Sequence, residues 1–170
     1  MMDWNNTNPP ELSTPASRWR LPMHSRRIRF ALATLAGILY WLALPMPGIW
    51  PFSFVFAAPL LIAIEGQPAK ERFLLGWWSG AIGIGGSHYF IAETLTLLAK
   101  LPWGAAIPVF LLYTAWVSLE MGIFCLGAGW LRSSKRKLWI VSVPLWFTLV
   151  ERLHPVVFRS LPSNTLWDVP

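Results

Sequence analysis

At 170 residues, with 55% hydrophobic and only 13% charged side chains and a mean hydropathy of +0.47, the chain departs from soluble domains, which carry about 25% charged residues. Its net charge of +6 and pI near 10.1 raise nucleic acid as a partner, but the basic residues flank apolar runs and do not interleave with aromatics on a polar surface; that excludes nucleic acid and points to anionic lipid. The single cysteine, Cys125, excludes an internal disulfide and a cysteine-based metal cluster.

Charge placement identifies the solvent. Asp, Glu, Lys and Arg are missing from residues 30–64, 73–92, 101–119, 121–131 and 138–150. A helix that crosses a hydrocarbon layer about 30 Å thick needs roughly 20 apolar residues, fewer when flanking side chains snorkel. Twelve Trp, ten Phe and fifteen Pro fit the interfacial preference of Trp and the tolerance of Pro in spans and their connections. The pattern predicts an all-α membrane protein, a polytopic helical bundle of about five transmembrane helices. Residues 1–27 form a cytoplasmic polar and basic tail, 28–151 the bundle, and 152–170 a periplasmic interfacial segment.

In chain order, residues 1–22 read as a poorly ordered tail. Arg18, Arg20, Arg26, Arg27 and Arg29 precede a first span at about 28–44. Pro45-Met46-Pro47-Gly48-Ile49-Trp50-Pro51 then reverses the chain, because proline removes backbone donors and glycine permits a tight turn. A short second span follows at about 52–64. The third runs from 73 to about 91 and carries Gly76, Gly80, Gly83 and Ser87 on one helical stripe, a surface on which a neighbouring helix can pack closely. Leu101-Pro102-Trp103-Gly104 makes an interfacial turn before a fourth span at 105–131. After the basic loop 132–137, the fifth run at 138–150 would extend only about 20 Å. The polar stretch 159–168, with Trp167, reads as an interfacial loop.

Five alternating spans place Arg18, Arg20, Arg26, Arg27, Arg29, Lys70, Arg72, Arg132, Lys135, Arg136 and Lys137 on one side, eleven of the fourteen basic residues; Lys100, Arg152 and Arg159 fall on the other. The positive-inside rule then sets the N-terminus in the cytoplasm and the segment from Glu151 onward outside.

Sequence motifs for catalysis are scarce. No Walker loop, G-x-S-x-G, H-E-x-x-H or metal-spaced Cys/His group occurs, so no cofactor or metal is expected. Cys125, between Phe124 and Leu126, reads as a packing residue. Ionisable groups at membrane depth are functional candidates. Glu120 lies mid-way along the fourth span, with Tyr113 and Trp116 at i−7 and i−4 on a face expected to turn inward; a structural glutamate and a functional one are both open readings. His88, Tyr89 and Glu93 fall near the outer end of the third span, and Glu151, Arg152 and His154 at the end of the fifth. With Trp103 they are candidates for lipid or substrate contact, against the plainer reading of interfacial anchors.

The ordered motifs resemble the N-terminal membrane region of bacterial apolipoprotein N-acyltransferases. They are the Pro45-to-Pro51 turn, Arg72-Phe73-Leu74-Leu75-Gly76-Trp77 opening a Gly-rich span that ends His88-Tyr89-Phe90-Ile91, Leu101-Pro102-Trp103, and Pro144-Leu145-Trp146 leading to Glu151. The resemblance covers about residues 27–170 and implies the early helices of a bacterial inner-membrane enzyme. It implies a phospholipid acyl donor, a diacylated lipoprotein acceptor and surrounding membrane lipids as partners. In that family later spans and a periplasmic nitrilase-like domain follow. A Glu–Lys–Cys triad there takes an acyl group on Cys and passes it to the α-amine of a diacylglyceryl cysteine. No residue of this chain carries over to the triad, so the expectation is a missing or separate catalytic domain and no activity from these residues alone. Two readings of other classes stand beside it: a non-catalytic membrane subunit that packs through its glycine stripe, and a small transporter centred on Glu120.

Overall fold

The computed structural model describes residues 25–44, 49, 51–134 and 138–157. The N-terminal tail, most of the Pro45-to-Pro51 turn, the basic residues 135–137, the stretch 159–168 and the side chain of His154 lie outside the described residues. Every regular element among the described residues is an α-helix: α1 (Arg26–Ala43), α2 (Phe52–Val55), α3 (Ala57–Ala63), α4 (Ala69–Ser87), α5 (Phe90–Leu97), α6 (Trp103–Val117), α7 (Leu119–Ser134) and α8 (Trp139–Val157).

Four of the five expected spans coincide with long helical segments, and the departures are local. The second run is two short helices joined at Phe56, whose backbone stays αR (φ −58, ψ −34); its twelve residues rise only about 18 Å. The third ends at Ser87, before the expected residue 91, and α5 is a separate helix after His88 and Tyr89. The fifth continues past Val150 through Glu151 and Arg152 to Val157, so it crosses the boundary drawn at residue 151. Its nineteen residues rise about 28 Å, against the 20 Å expected from the charge-free run.

Together α6 and α7 make a 30-residue stretch, Trp103–Arg132, containing an 18-residue window of mean hydropathy 1.8, the one helix among the described residues long and apolar enough to cross a membrane by these measures. The regular helix is interrupted at Ser118 (φ −65, ψ −14), whose hydroxyl donates to the Thr114 carbonyl at 2.6 Å, a back-bond that loosens the helical ladder. Pro108 lies inside α6 and removes another backbone donor.

Helix α4 is the centre of the bundle, packed between α1 and α7. Its pairs with α1 advance together along both chains. Arg26 meets Glu71, Phe30 and Thr34 meet Trp78, and Tyr40 meets Gly83, so α1 and α4 run parallel. Pairs with α7 advance in opposite directions: Arg72 meets Gly129, Gly76 meets Cys125, and Gly80 meets Ser118. Helices α4 and α7 are therefore antiparallel, as are α7 and α8, where Phe124 packs on Phe147 at 5.2 Å and Gly127 lies against Trp146.

The glycine stripe serves two neighbours. Gly76 and Gly80 face α7, and Gly83 faces α1. A Cβ at Gly76 would fall 2.5 Å from the Met121 carbonyl oxygen and 2.6 Å from Cys125 Sγ, closer than any side chain tolerates. Cys125 is fully buried in this seam, as its reading as a packing residue requires. Gly66 turns the chain between α3 and α4 at φ 68, a left-handed conformation that costs glycine little.

Candidate functional site

The helix directions gather the polar groups at two places. At the start of α1 and α4 and the end of α7, Arg29 donates to Gln67 Oε1, Arg72 Nε donates to the Gln67 carbonyl at 2.6 Å, and Arg132 donates to Glu65 Oε1 at 2.6 Å. The Arg26–Glu71 pair is looser, at 3.9 Å. This end is a surface of guanidinium groups fastened to the α3–α4 turn.

Toward the other end, α1, α4, the α6–α7 junction and α8 surround a narrow, partly open cleft. Its polar lining is Tyr40, Ser118, Glu120 and Glu151; Ile84, Val117, Met121, Phe124, Phe147 and Val150 supply hydrocarbon and aromatic rings, with Gly80 between them. Glu151 is only 4% exposed and Tyr40 7%, and the Tyr40 phenol lies within electrostatic reach of both carboxylates. The Tyr40 ring is wedged beside Gly83 and packs on Phe56 at 5.1 Å. Phe56 packs on Phe147 at 5.6 Å, and Phe147 on Phe124. An aromatic chain thus fixes one wall of the cleft.

Of the residues expected to contact lipid or substrate, the fold brings together Glu120 and Glu151. The inward face proposed for Glu120 holds for Glu120, which lines the cleft, and not for Trp116, which is 52% exposed. His88 is buried, 2% exposed, with Nδ1 2.7 Å from Ser87 Oγ and 3.2 Å from the Ile84 carbonyl. Its ring lies between Phe90 and Tyr113 at 5.9 and 5.7 Å, so it serves as the plug of the α4–α5 elbow. Tyr89, Glu93, Trp103 and Arg152 are exposed and outside the cleft. Two members were not anticipated. Tyr40 was legible only as a lone phenol in the first apolar run, and Ser118 gave no sign beyond being a small polar residue next to Glu120 in the fourth. No group of three or more His, Cys, Asp or Glu suited to a metal occurs among the described residues.

Residues 36–168 match the family model of the apolipoprotein N-acyltransferase N-terminal domain. The chain belongs to this family. It is also 32% identical over 138 residues, 81% of its length, to a protein of Geobacter metallireducens named apolipoprotein N-acyltransferase. The match spans 26% of that relative's length, so the chain corresponds to about a quarter of it. All the cleft residues fall within the matched family segment, as does the α4–α7 seam that positions them.

Proposed function

We propose that this chain is the membrane-embedded N-terminal part of an apolipoprotein N-acyltransferase-like enzyme in a bacterial inner membrane. The reaction is transfer of an acyl chain from a phospholipid to the N-terminal amine of a diacylglyceryl-cysteine lipoprotein. The observation that carries the reading is the family match across 36–168. Five segments cross or enter the bilayer in this account: α1, the short α2–α3 pair, α4, α6–α7 and α8. The parallel packing of α1 with α4 and the antiparallel packing of α7 on both α4 and α8 agree with that alternation. The arginine end faces the cytoplasm under the positive-inside rule, which directs the cleft and the end of α8 toward the periplasm.

In this reading the bundle holds acyl chains and orients lipid substrates, and groups beyond these residues perform the covalent step. Holding both partners in one geometry supplies the proximity such a transfer needs. Residues 36–168, substituted for the matched segment of the Geobacter relative, should give a chimaera that acylates a diacylglyceryl peptide from phospholipid. A folded, membrane-inserted chimaera without activity would count against the assignment. Purified residues 1–170 should transfer nothing on their own, and transfer by them would overturn the division of labour.

A further inference from the structure

One turn of the chain holds three guanidinium groups that come from three helices. Glu65, Gly66 and Gln67 lie in the α3–α4 turn, with Gly66 at φ 68. Arg29 of α1 donates to Gln67 Oε1, Arg72 of α4 donates through Nε to the Gln67 carbonyl, and Arg132 of α7 donates to Glu65 Oε1. Gln67 Nε2 closes the turn on the Glu65 carbonyl at 3.1 Å. Two of these three acceptors are neutral, so the turn gathers the cations and cancels little of their charge. Arg29 and Arg132 have further partners and frame the site. Arg72 is half-buried and forms no ion pair among the described residues. Its Nη1 lies where a Cβ at residue 129 would come within 2.5 Å, a space that Gly129 leaves open. Its Nε is taken by Gln67, which leaves the N–H donors of both terminal nitrogens.

We infer that Arg29, Arg72 and Arg132 form a binding site for the phosphate of an anionic phospholipid, at the end of the bundle opposite the cleft. A guanidinium fork meets phosphate oxygens in pairs and is more weakly hydrated than an ammonium. With Glu65 as the carboxylate on the turn, the three guanidinium groups leave a net positive site that a phosphodiester complements. Hydrocarbon borders it at the same level: Ile28, next to Arg29, is 41% exposed, and Trp130, next to Gly129, is 65% exposed. Tryptophan favours the headgroup boundary. A diffusible phosphate would make no use of these apolar neighbours, whereas a lipid lays its chains along them. The site is remote from the cleft, because Arg132 and Glu120 lie on one helix and their separation in sequence corresponds to about 18 Å along its axis. A lipid bound here is held and not consumed. The inference rests on the membrane reading above, in which this end meets the cytoplasmic headgroup layer, where anionic lipids gather around basic groups.

The test uses the full chain purified in a neutral detergent, with lipid binding read by native mass spectrometry. The probes are ether-linked phosphatidylglycerol and ether-linked phosphatidylcholine with the same chains, neither of which has an acyl group to transfer. Phosphatidylglycerol should bind at least tenfold more tightly, and equal binding to the unaltered chain overturns the inference without recourse to any variant. Inorganic phosphate at the same concentration should not displace the lipid; displacement would assign the site to a free anion and overturn the lipid claim. Arg72→Gln should weaken phosphatidylglycerol at least fivefold and leave phosphatidylcholine unchanged. Arg27→Gln removes the same charge from an exposed position on α1 and should cost less than twofold. Equal losses from the two variants would make the attraction a diffuse one and overturn the site. Because neither probe can donate an acyl chain, each of these failures is distinct from a failure of the chimaera to acylate.

Discussion

The two ends of the bundle use similar side chains in opposite ways. At the arginine end, guanidinium and carboxylate groups meet near the surface: the Arg132 side chain is 34% exposed and that of Glu65 55%. At the cleft end Glu151 is 4% exposed and shares a largely apolar chamber with Glu120 and Tyr40. Exposed pairs are screened and contribute little, whereas a sequestered carboxylate is costly to place and costly to disturb. The contrast is one of burial: the cleft sequesters its carboxylates, and the arginine end leaves its pairs near the surface.

Substitutions divide along that line. The largest effect belongs to the seam that holds both ends in register. Gly76→Leu drives a side chain into the Met121 carbonyl and Cys125, and overpacking of this kind costs about 1–3 kcal/mol or more, read as a lower midpoint in detergent unfolding. Next comes Glu151→Ala, which strands the groups that engage the carboxylate and should lower stability by about 1–3 kcal/mol. Trp78→Phe removes the 3.0 Å hydrogen bond from Nε1 to Thr34 Oγ1 on the α1–α4 face. Its expected cost is about 0.5–1.5 kcal/mol, and Thr34→Val should reproduce it in a double-mutant cycle. The smallest effect is Arg132→Ala, about 0–1 kcal/mol and reduced further by added salt. If Arg132→Ala proved more damaging than Glu151→Ala, the contrast between the two ends would be wrong.

The sequence displayed the long helices and concealed their contacts. The body of α1 and most of the α6–α7 stretch follow from apolar runs bounded by Arg29, Lys100 and Arg132 and interrupted only at Glu120. The break at His88 left no comparable mark, because no proline separates Ser87 from Glu93 and the apolar run continues. It is made by the His88 ring bonding back to Ser87 and Ile84. The far end of α8 was hidden for the opposite reason. Glu151 and Arg152 interrupt hydrophobicity, which was read as the end of the span, whereas helix propagation tolerates both and the fold buries Glu151. Glu120 stood out as one carboxylate in an apolar run, but its meeting with Tyr40 and Glu151 is a contact among three helices far apart in the chain. Local spacing carries no record of such a contact. The glycine stripe was legible as a close-packing surface, and its division between α1 and α7 was not.

The most direct test of the account is the side on which each end lies. Cys125 is fully buried, so a membrane-impermeant maleimide should ignore it and report only introduced thiols. With the full chain in intact spheroplasts, Glu65→Cys should resist labelling until the membrane is opened, and Glu93→Cys should label from outside at once. Labelling of both from the same side would contradict the alternating bundle and, with it, the placement of the cleft toward the periplasm.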